Sequence, residues 1–198
     1  MPPTSMPANE PPDIPEDIGD AVLVSRVQHG DRAAFYRIVQ QHTDALLRIA
    51  HGYLKSRSDA EDIVQELYFQ IWRTRSHWEP RGTIGSYLAL SVRRRALDVL
   101  KHRRIESTYV ERIATEAAHD PDEWSTAPSE HTLSTRDEHT NAMSLVEQLN
   151  DRFRMVLLLR YAQQRSFAEI AEILEISVPA ARQLAHRAVE QLRKLSRP

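Results

Sequence analysis

The stretch Ser166-Phe167-Ala168-Glu169-Ile170-Ala171-Glu172-Ile173-Leu174 decides how the C-terminal part of this chain folds. Ser166 followed three residues later by Glu169 is a capping box. The serine hydroxyl accepts from the Glu169 N–H, and the Glu169 carboxylate reaches back to the Ser166 N–H. Phe167, Ile170, Ala171 and Leu174 fall at i, i+3, i+4 and i+7, which makes one apolar stripe on a helix. A short turn, Glu175-Ile176-Ser177, follows. Ser177 caps a second helix, whose first turn tolerates Pro179 because no N–H is needed there. On that second helix Val178, Ala181, Ala185, Ala188 and Leu192 share one face. Gln183, His186, Arg187, Glu190 and Lys194 take the opposite face, with Arg182 and Arg193 at its margin. Small residues inward and long donors outward predict a helix-turn-helix whose second helix reads DNA. An ordinary pair of packed helices would need neither the basic outer face nor the Ala-rich inner one.

Composition bounds the rest. The 198 residues suffice for one large domain or two small ones. Hydrophobic residues at 41% and charged residues at 27% are ordinary for a globular chain. Five Gly and few alternating β-branched runs predict a mainly helical fold. The formal net charge of −2 excludes a uniformly basic nucleic-acid coat, so the distribution of charge matters more than its total. No Cys is present, which excludes disulfides, thiolate metal sites and thiol redox switching, and fits a reducing cytoplasm. No apolar run reaches membrane-spanning length, and the Pro-rich acidic N-terminus lacks a signal-peptide pattern.

Outward from the helix-turn-helix the chain divides into four. Residues 1–19 read as a disordered Pro-rich tail. Residues 20–104 are patterned as helix, broken by Gly30, Gly52 and a loop over 80–85. Residues 105–140 lose the periodicity and carry Glu106, Glu111, Glu116, Asp120, Asp122, Glu123, Glu130, Asp137 and Glu138 against only Arg112 and Arg136. They read as an acidic flexible linker with one short helix near 109–118. Residues 141–198 hold the helix-turn-helix.

Within 20–104 two stretches carry chemistry. From 59 to 73, Ala60, Ile63, Val64, Leu67 and Ile71 form a core-facing arc. Asp62, Gln65, Glu66, Phe69 and Arg73 lie opposite it, with Trp72 at the edge. Aromatic residues outside a complete apolar stripe, set among carboxylates, predict a protein-docking face. From 86 to 104, Leu88, Val92, Ala96 and Val99 make a buried arc, while Arg94, Arg95, Lys101 and His102 make a basic one that Arg103 and Arg104 extend. The preceding loop, Trp78-Glu79-Pro80-Arg81-Gly82-Thr83-Ile84-Gly85, joins an aromatic ring to a cation. That combination suits unpaired bases, which stack, and phosphates, which need countercharge.

Three such stretches in this order resemble the extracytoplasmic-function (ECF) sigma factors, the minimal two-domain promoter-specificity subunits of bacterial RNA polymerase. The resemblance spans roughly residues 21–195. Asp59-Ala60-Glu61-Asp62-Ile63-Val64-Gln65-Glu66 is similar to the family's polymerase-docking region, residues 86–104 to its −10 region, and 145–194 to its −35 region. The family commonly has Phe, Trp and Asn where this chain has Tyr68, Tyr87 and Arg94, and a Gly-Thr-Val-containing turn where it has Val178-Pro179-Ala180-Ala181. The promoter sequence is therefore not carried over.

What the resemblance implies is an all-α, two-domain protein that is not an enzyme, uses no cofactor or metal, inserts in no membrane and works in the cytoplasm. Its implied partners are core RNA polymerase through the β′ and β subunits, promoter DNA and an anti-sigma factor. Asp59, Asp62, Gln65, Glu66, Phe69 and Trp72 would meet the polymerase. Trp78, Arg81, Tyr87, Arg94, Arg95 and Lys101 would meet the −10 element, and the loop over 78–86 would hold a flipped base. Ala180, Arg182, Gln183, His186 and Arg187 would meet the −35 element. The segregated charge further predicts that the basic faces and the acidic segment pack together when polymerase is absent.

Two rival readings stay open on the residues alone. A stand-alone regulator would carry a ligand pocket in 21–104, but the docking-type face over 59–72 has no use in it. A metal-dependent helical enzyme would use Asp59, Asp62 and Glu66, but their helix lacks the Glu-x-x-His pairing of di-metal bundles.

Overall fold

The computed structural model describes residues 18–117 and 148–196, and every described element is helical. Four helices build the N-terminal part: α1 (Asp20–Gln28), α2 (Arg32–Leu54), α3 (Arg57–Arg73) and α4 (Ile84–Ala117), with a single 3-10 turn (Arg75–His77) after α3. The C-terminal part holds α5 (Asp151–Leu157), a π-helical turn (Leu158–Ala162), α6 (Phe167–Leu174) and α7 (Val178–Leu195). The expected tail and most of the acidic linker lie outside the described residues.

Local chemistry sets the helix ends. Asp31 caps α2, its side chain accepting from the Ala33 and Ala34 N–H groups at 2.9 and 3.1 Å. Those backbone bonds, the Ala34 one first, hold the Asp31 carboxyl below its ordinary range. Gly30 has φ +84°, a left-handed turn that glycine adopts without steric cost, so the break expected there is real. Gly52 is not a break: α2 runs through it and stops at Lys55, whose φ is 56°. A lone glycine weakens a helix by only about 1 kcal/mol, which the packing around α2 offsets.

The loop before α4 is closed from a distance. The Asp20 carboxylate at the start of α1 accepts from the Ile84 N–H at 2.7 Å, and Thr83 Oγ1 accepts from the Ser86 N–H at 3.1 Å. α4 then continues past Arg104 to Ala117. The helix expected over 109–118 is thus the tail of α4 rather than a separate element, because neither Gly nor Pro interrupts the chain before Pro121.

In the N-terminal part α2 packs on α3 and α4 and is crossed by α1. Ile38, Leu46, Ile49, Leu67, Ile71, Leu88 and Val92 fill its centre. In the C-terminal part α5 and α6 pack on α7, burying Met155, Leu159, Ile170, Ile173, Ala181, Ala185 and Ala188. The two parts touch: α4 lies on α6 and α2 on α5.

Candidate docking and nucleic-acid surfaces

On α3 the expected arc of Ala60, Ile63, Val64, Leu67 and Ile71 is buried, and Tyr68 joins it. Tyr68 is a core residue that the periodicity places on the margin; burial raises its hydroxyl pKa, and Thr43 sits 3.3 Å from that oxygen. Asp62, Gln65, Glu66 and Phe69 are exposed on the far side. Phe69 leaves 59% of its surface to solvent, with the Arg73 guanidinium 5.7 Å above its ring. Trp72 is less free, since it packs 5.1 Å from Phe35 on one side and 4.6 Å from Arg75 on the other.

Asp59 departs from the expected docking set. It is ion-paired to Arg103 at 2.8 Å, and the Ser56 hydroxyl and Arg103 together lower its carboxyl pKa. It therefore ties α3 to α4 rather than standing open. Gln70 and Arg95 form a second tie between the same helices, which spends Arg95 within the fold.

The −10 residues divide between core and surface. Trp78 is only 4% exposed and sits 6.2 Å edge-on from half-buried Tyr87, so the expectation of a loop-surface ring is corrected: the ring faces inward and fixes the loop. The alternation of a polar loop conceals this, because a single tryptophan gives no periodicity to read. Arg81, Arg94 and Lys101 are exposed. Arg94 and Lys101 are two turns apart on one face of α4.

In the helix-turn-helix the expected local chemistry is in place. Ser166 and Glu169 form both bonds of the capping box, with the Glu169 N–H donating to Ser166 Oγ at 3.2 Å and the Ser166 N–H to Glu169 Oε2 at 2.9 Å. Ser177 accepts from the Ala180 N–H at 3.3 Å. Arg182, Gln183, His186 and Arg187 are exposed on α7, while Ala180 is half-buried. Arg182 also stands 5.8 Å from the Phe167 ring, which orients its guanidinium.

Sequence reasoning missed the residues at the seam between the two parts. Glu175, in the turn of the helix-turn-helix, accepts from Arg93 Nη1 at 2.6 Å and from Arg94 Nη2 at 2.6 Å. The Arg94 and Arg93 bonds hold the Glu175 carboxyl below its ordinary range. The Glu172 carboxylate lies over Gly82, where an added Cβ would meet it at 3.1 Å, and the Arg165 guanidinium covers Gly85. Gln163 Nε2 donates to the Ala45 carbonyl at 3.0 Å. A cleft of about 210 Å³ remains, lined among others by Tyr53, Arg93, Arg152, Gln183 and Arg187. These partners are about a hundred residues apart in sequence, so no local pattern pairs them; Glu175 takes a left-handed φ of 55° at the end of α6.

Similarity to known proteins follows the same division. The Sigma-70 region 2 family model matches residues 38–105, and the Sigma-70 region 4 model matches 145–194. The chain is 28% identical over 174 residues to the RNA polymerase sigma factor CarQ of Myxococcus xanthus, covering 87% of this chain and 94% of that protein. It is 28% identical to the ECF sigma factor SigW of Bacillus subtilis over 86% of this chain and 93% of the relative. It is 27% identical to the sigma-E factor of Escherichia coli over 89% and 94%. Among solved structures, CnrH in complex with the cytosolic domain of CnrY matches with a TM-score of 0.60 at 22% identity, covering 89% of this chain and 96% of that one. The sigma factor RpoE in complex with the anti-sigma factor NepR, from Bartonella quintana, matches at 0.59 and 17% over 81% and 95%. No described helix is long and apolar enough to cross a membrane.

Proposed function

This chain belongs to the extracytoplasmic-function sigma factors, the promoter-recognising subunits of RNA polymerase, and from that premise we propose how its surfaces divide the work. The exposed ridge of Asp62, Gln65, Glu66 and Phe69 on α3 docks on the β′ subunit of the core enzyme. The observation that carries this is an exposed phenylalanine among carboxylates, on a helix whose apolar stripe is already fully buried. Such a ring has no role in the fold of the free chain and suits the apolar centre of an interface.

Arg81, Arg94 and Lys101 then meet the −10 element. Tyr87 and buried Trp78 support their loop instead of stacking on bases. Arg182, Gln183, His186 and Arg187 on α7 meet the −35 element, where guanidinium and amide groups can read base edges in a major groove. Each contact set is modest alone. Carrying both on one chain raises their effective concentration and makes spacing part of recognition. An anti-sigma factor and cytoplasmic action belong to the same proposal.

The test is reconstitution. Core RNA polymerase supplemented with this chain is expected to give run-off transcripts from a genomic library that core enzyme alone does not give. Absence of any such transcripts, with the chain bound to core, would remove the promoter-reading role.

A further inference from the structure

We infer that α1 is the template for the loop over 79–83: its Gln28 and Asp20 hold the loop's two ends and so set the shape in which Arg81, Gly82 and Thr83 meet an unpaired −10 base. The inference rests on the −10 reading of this loop proposed above and adds the residues that position it.

Asp20, Val24 and Gln28 stand at i, i+4 and i+8, on one face of α1. Leu23 and Val27 beside them are buried and fix the helix in the core. At one end of the face Gln28 Nε2 donates to the Trp78 carbonyl at 3.0 Å. At the other the Asp20 carboxylate accepts from the Ile84 N–H at 2.7 Å. That second bond is charge-assisted and lies at the start of α4, where the helix dipole also favours an anion. Thr83 Oγ1 accepts from the Ser86 N–H in the same turn, so the ties at this end fix where α4 begins.

The spacing explains the loop's form. Asp20 and Gln28 are ~12 Å apart along their helix. The chain from Trp78 to Ile84 spans ~20 Å when extended. The surplus does not lie flat along α1 and bows into solvent at Arg81, Gly82 and Thr83, which are all exposed. Gly82, with φ +72°, makes the turn. Trp78 and Ile84, the two residues tied to α1, are both buried. The loop is thus a short bow between two buried posts, shaped before DNA arrives. Such preorganisation favours base capture because little is left to order on binding. Neither Asp20 nor Gln28 needs to touch DNA: they are positioning residues.

The test is base preference in holoenzyme, on a promoter recovered by the run-off assay and altered one −10 position at a time. Asp20→Ala and Gln28→Ala should each lower discrimination at a loop-read position about tenfold, the size of one base contact. A ratio between two promoters is insensitive to the loss of one negative charge, which raises affinity for both alike. Asp20→Asn keeps an acceptor of the same shape and should stay within about threefold of the original. Val27→Ala loosens α1 in the core but leaves both ties in place, and should lower the melting temperature without changing preference. Because Asp20 acts through the loop, adding Asp20→Ala to Arg81→Ala should cost little beyond Arg81→Ala alone.

Preference unchanged in Asp20→Ala or in Gln28→Ala, or lost as much in Val27→Ala, overturns the inference. Additive losses in the double variant overturn it too. If Arg81→Ala itself leaves every −10 preference unchanged, or no transcripts form at all, the reading of the loop fails and takes the inference with it.

Discussion

The outer face of α3 and the basic face of α4 are neighbours on the same bundle, yet they stand in opposite states. Asp62, Glu66 and Phe69 are open to solvent and form no ion pair among the described residues, whereas Arg93 and Arg94 are held by Glu175 from the other end of the chain. Both faces follow the same rule of an outward arc opposite a buried stripe. They differ in whether the second domain can reach them with complementary charge. The lesson is that a helix's own pattern sets which arc faces outward, while the part packed against it sets whether that arc is ion-paired.

The largest expected effect breaks the open side of that contrast. Asp62→Arg or Glu66→Arg should cost about 2–5 kcal/mol in core-polymerase affinity while circular dichroism stays unchanged, because neither residue touches the core. Asp59→Asn, removing the tie to Arg103, should instead lower the melting temperature with little effect on docking. Equal losses of affinity in all three would mean that the α3 face is not organised as described.

Next come the proposed readers on α7, measured in holoenzyme. Alanine at a base-edge contact among Arg182, Gln183, His186 and Arg187 should cost about 1–3 kcal/mol and relax preference at one promoter position. Alanine at a phosphate contact should weaken all sequences alike and flatten the salt dependence. A set of four variants showing neither pattern would transfer recognition to another element.

A smaller effect tests the local frame. Ser166→Ala removes one half of the capping box and should destabilise the C-terminal part by about 1 kcal/mol, read by hydrogen exchange in α6. The N-terminal part should not respond, and a loss shared by α2 and α3 would show that the two parts unfold as one unit.

The smallest effect is a pH dependence at the seam. Burial, reinforced by Arg165 from the C-terminal part, lowers the His42 pKa below its ordinary 6.5, with Asp20 acting against it. A histidine held neutral in this way favours the folded chain above its ordinary pKa, and the contribution is lost as pH falls toward the lowered value. The melting temperature should therefore begin to fall on acidification from about pH 7 toward 6. Substituting His42→Gln should flatten that response. Glu175 contributes with the same sign at lower pH: its lowered pKa means that its tie to Arg93 and Arg94 weakens only as acid protonates the carboxylate below its ordinary 4.5.

How far the sequence could be read depends on how local the cause is. The capping box at Ser166, the cap at Ser177, the buried alanines of α7 and the apolar arc of α3 were all legible, because each arises from residues within a few turns of one another. The exposure of Asp62, Glu66 and Phe69 followed from the same periodicity. Trp78 was misread as a surface ring, since a loop has no period to tell inward from outward. Asp59 looked free because its partner Arg103 lies on another helix.

By itself, then, the amino-acid order determined that this chain is helical, where the two helices of the helix-turn-helix begin, which faces are apolar, and the succession of motifs that marks a sigma factor. Only the tertiary structure decided which outward faces remain outward. Caps and periodicity report the torsions and stripes of one helix, which short-range hydrogen bonds and burial dictate. The pairing of Glu175 with Arg93 and Arg94 depends on where two separately folded parts come to rest, and no local pattern encodes a contact made across some eighty residues of chain.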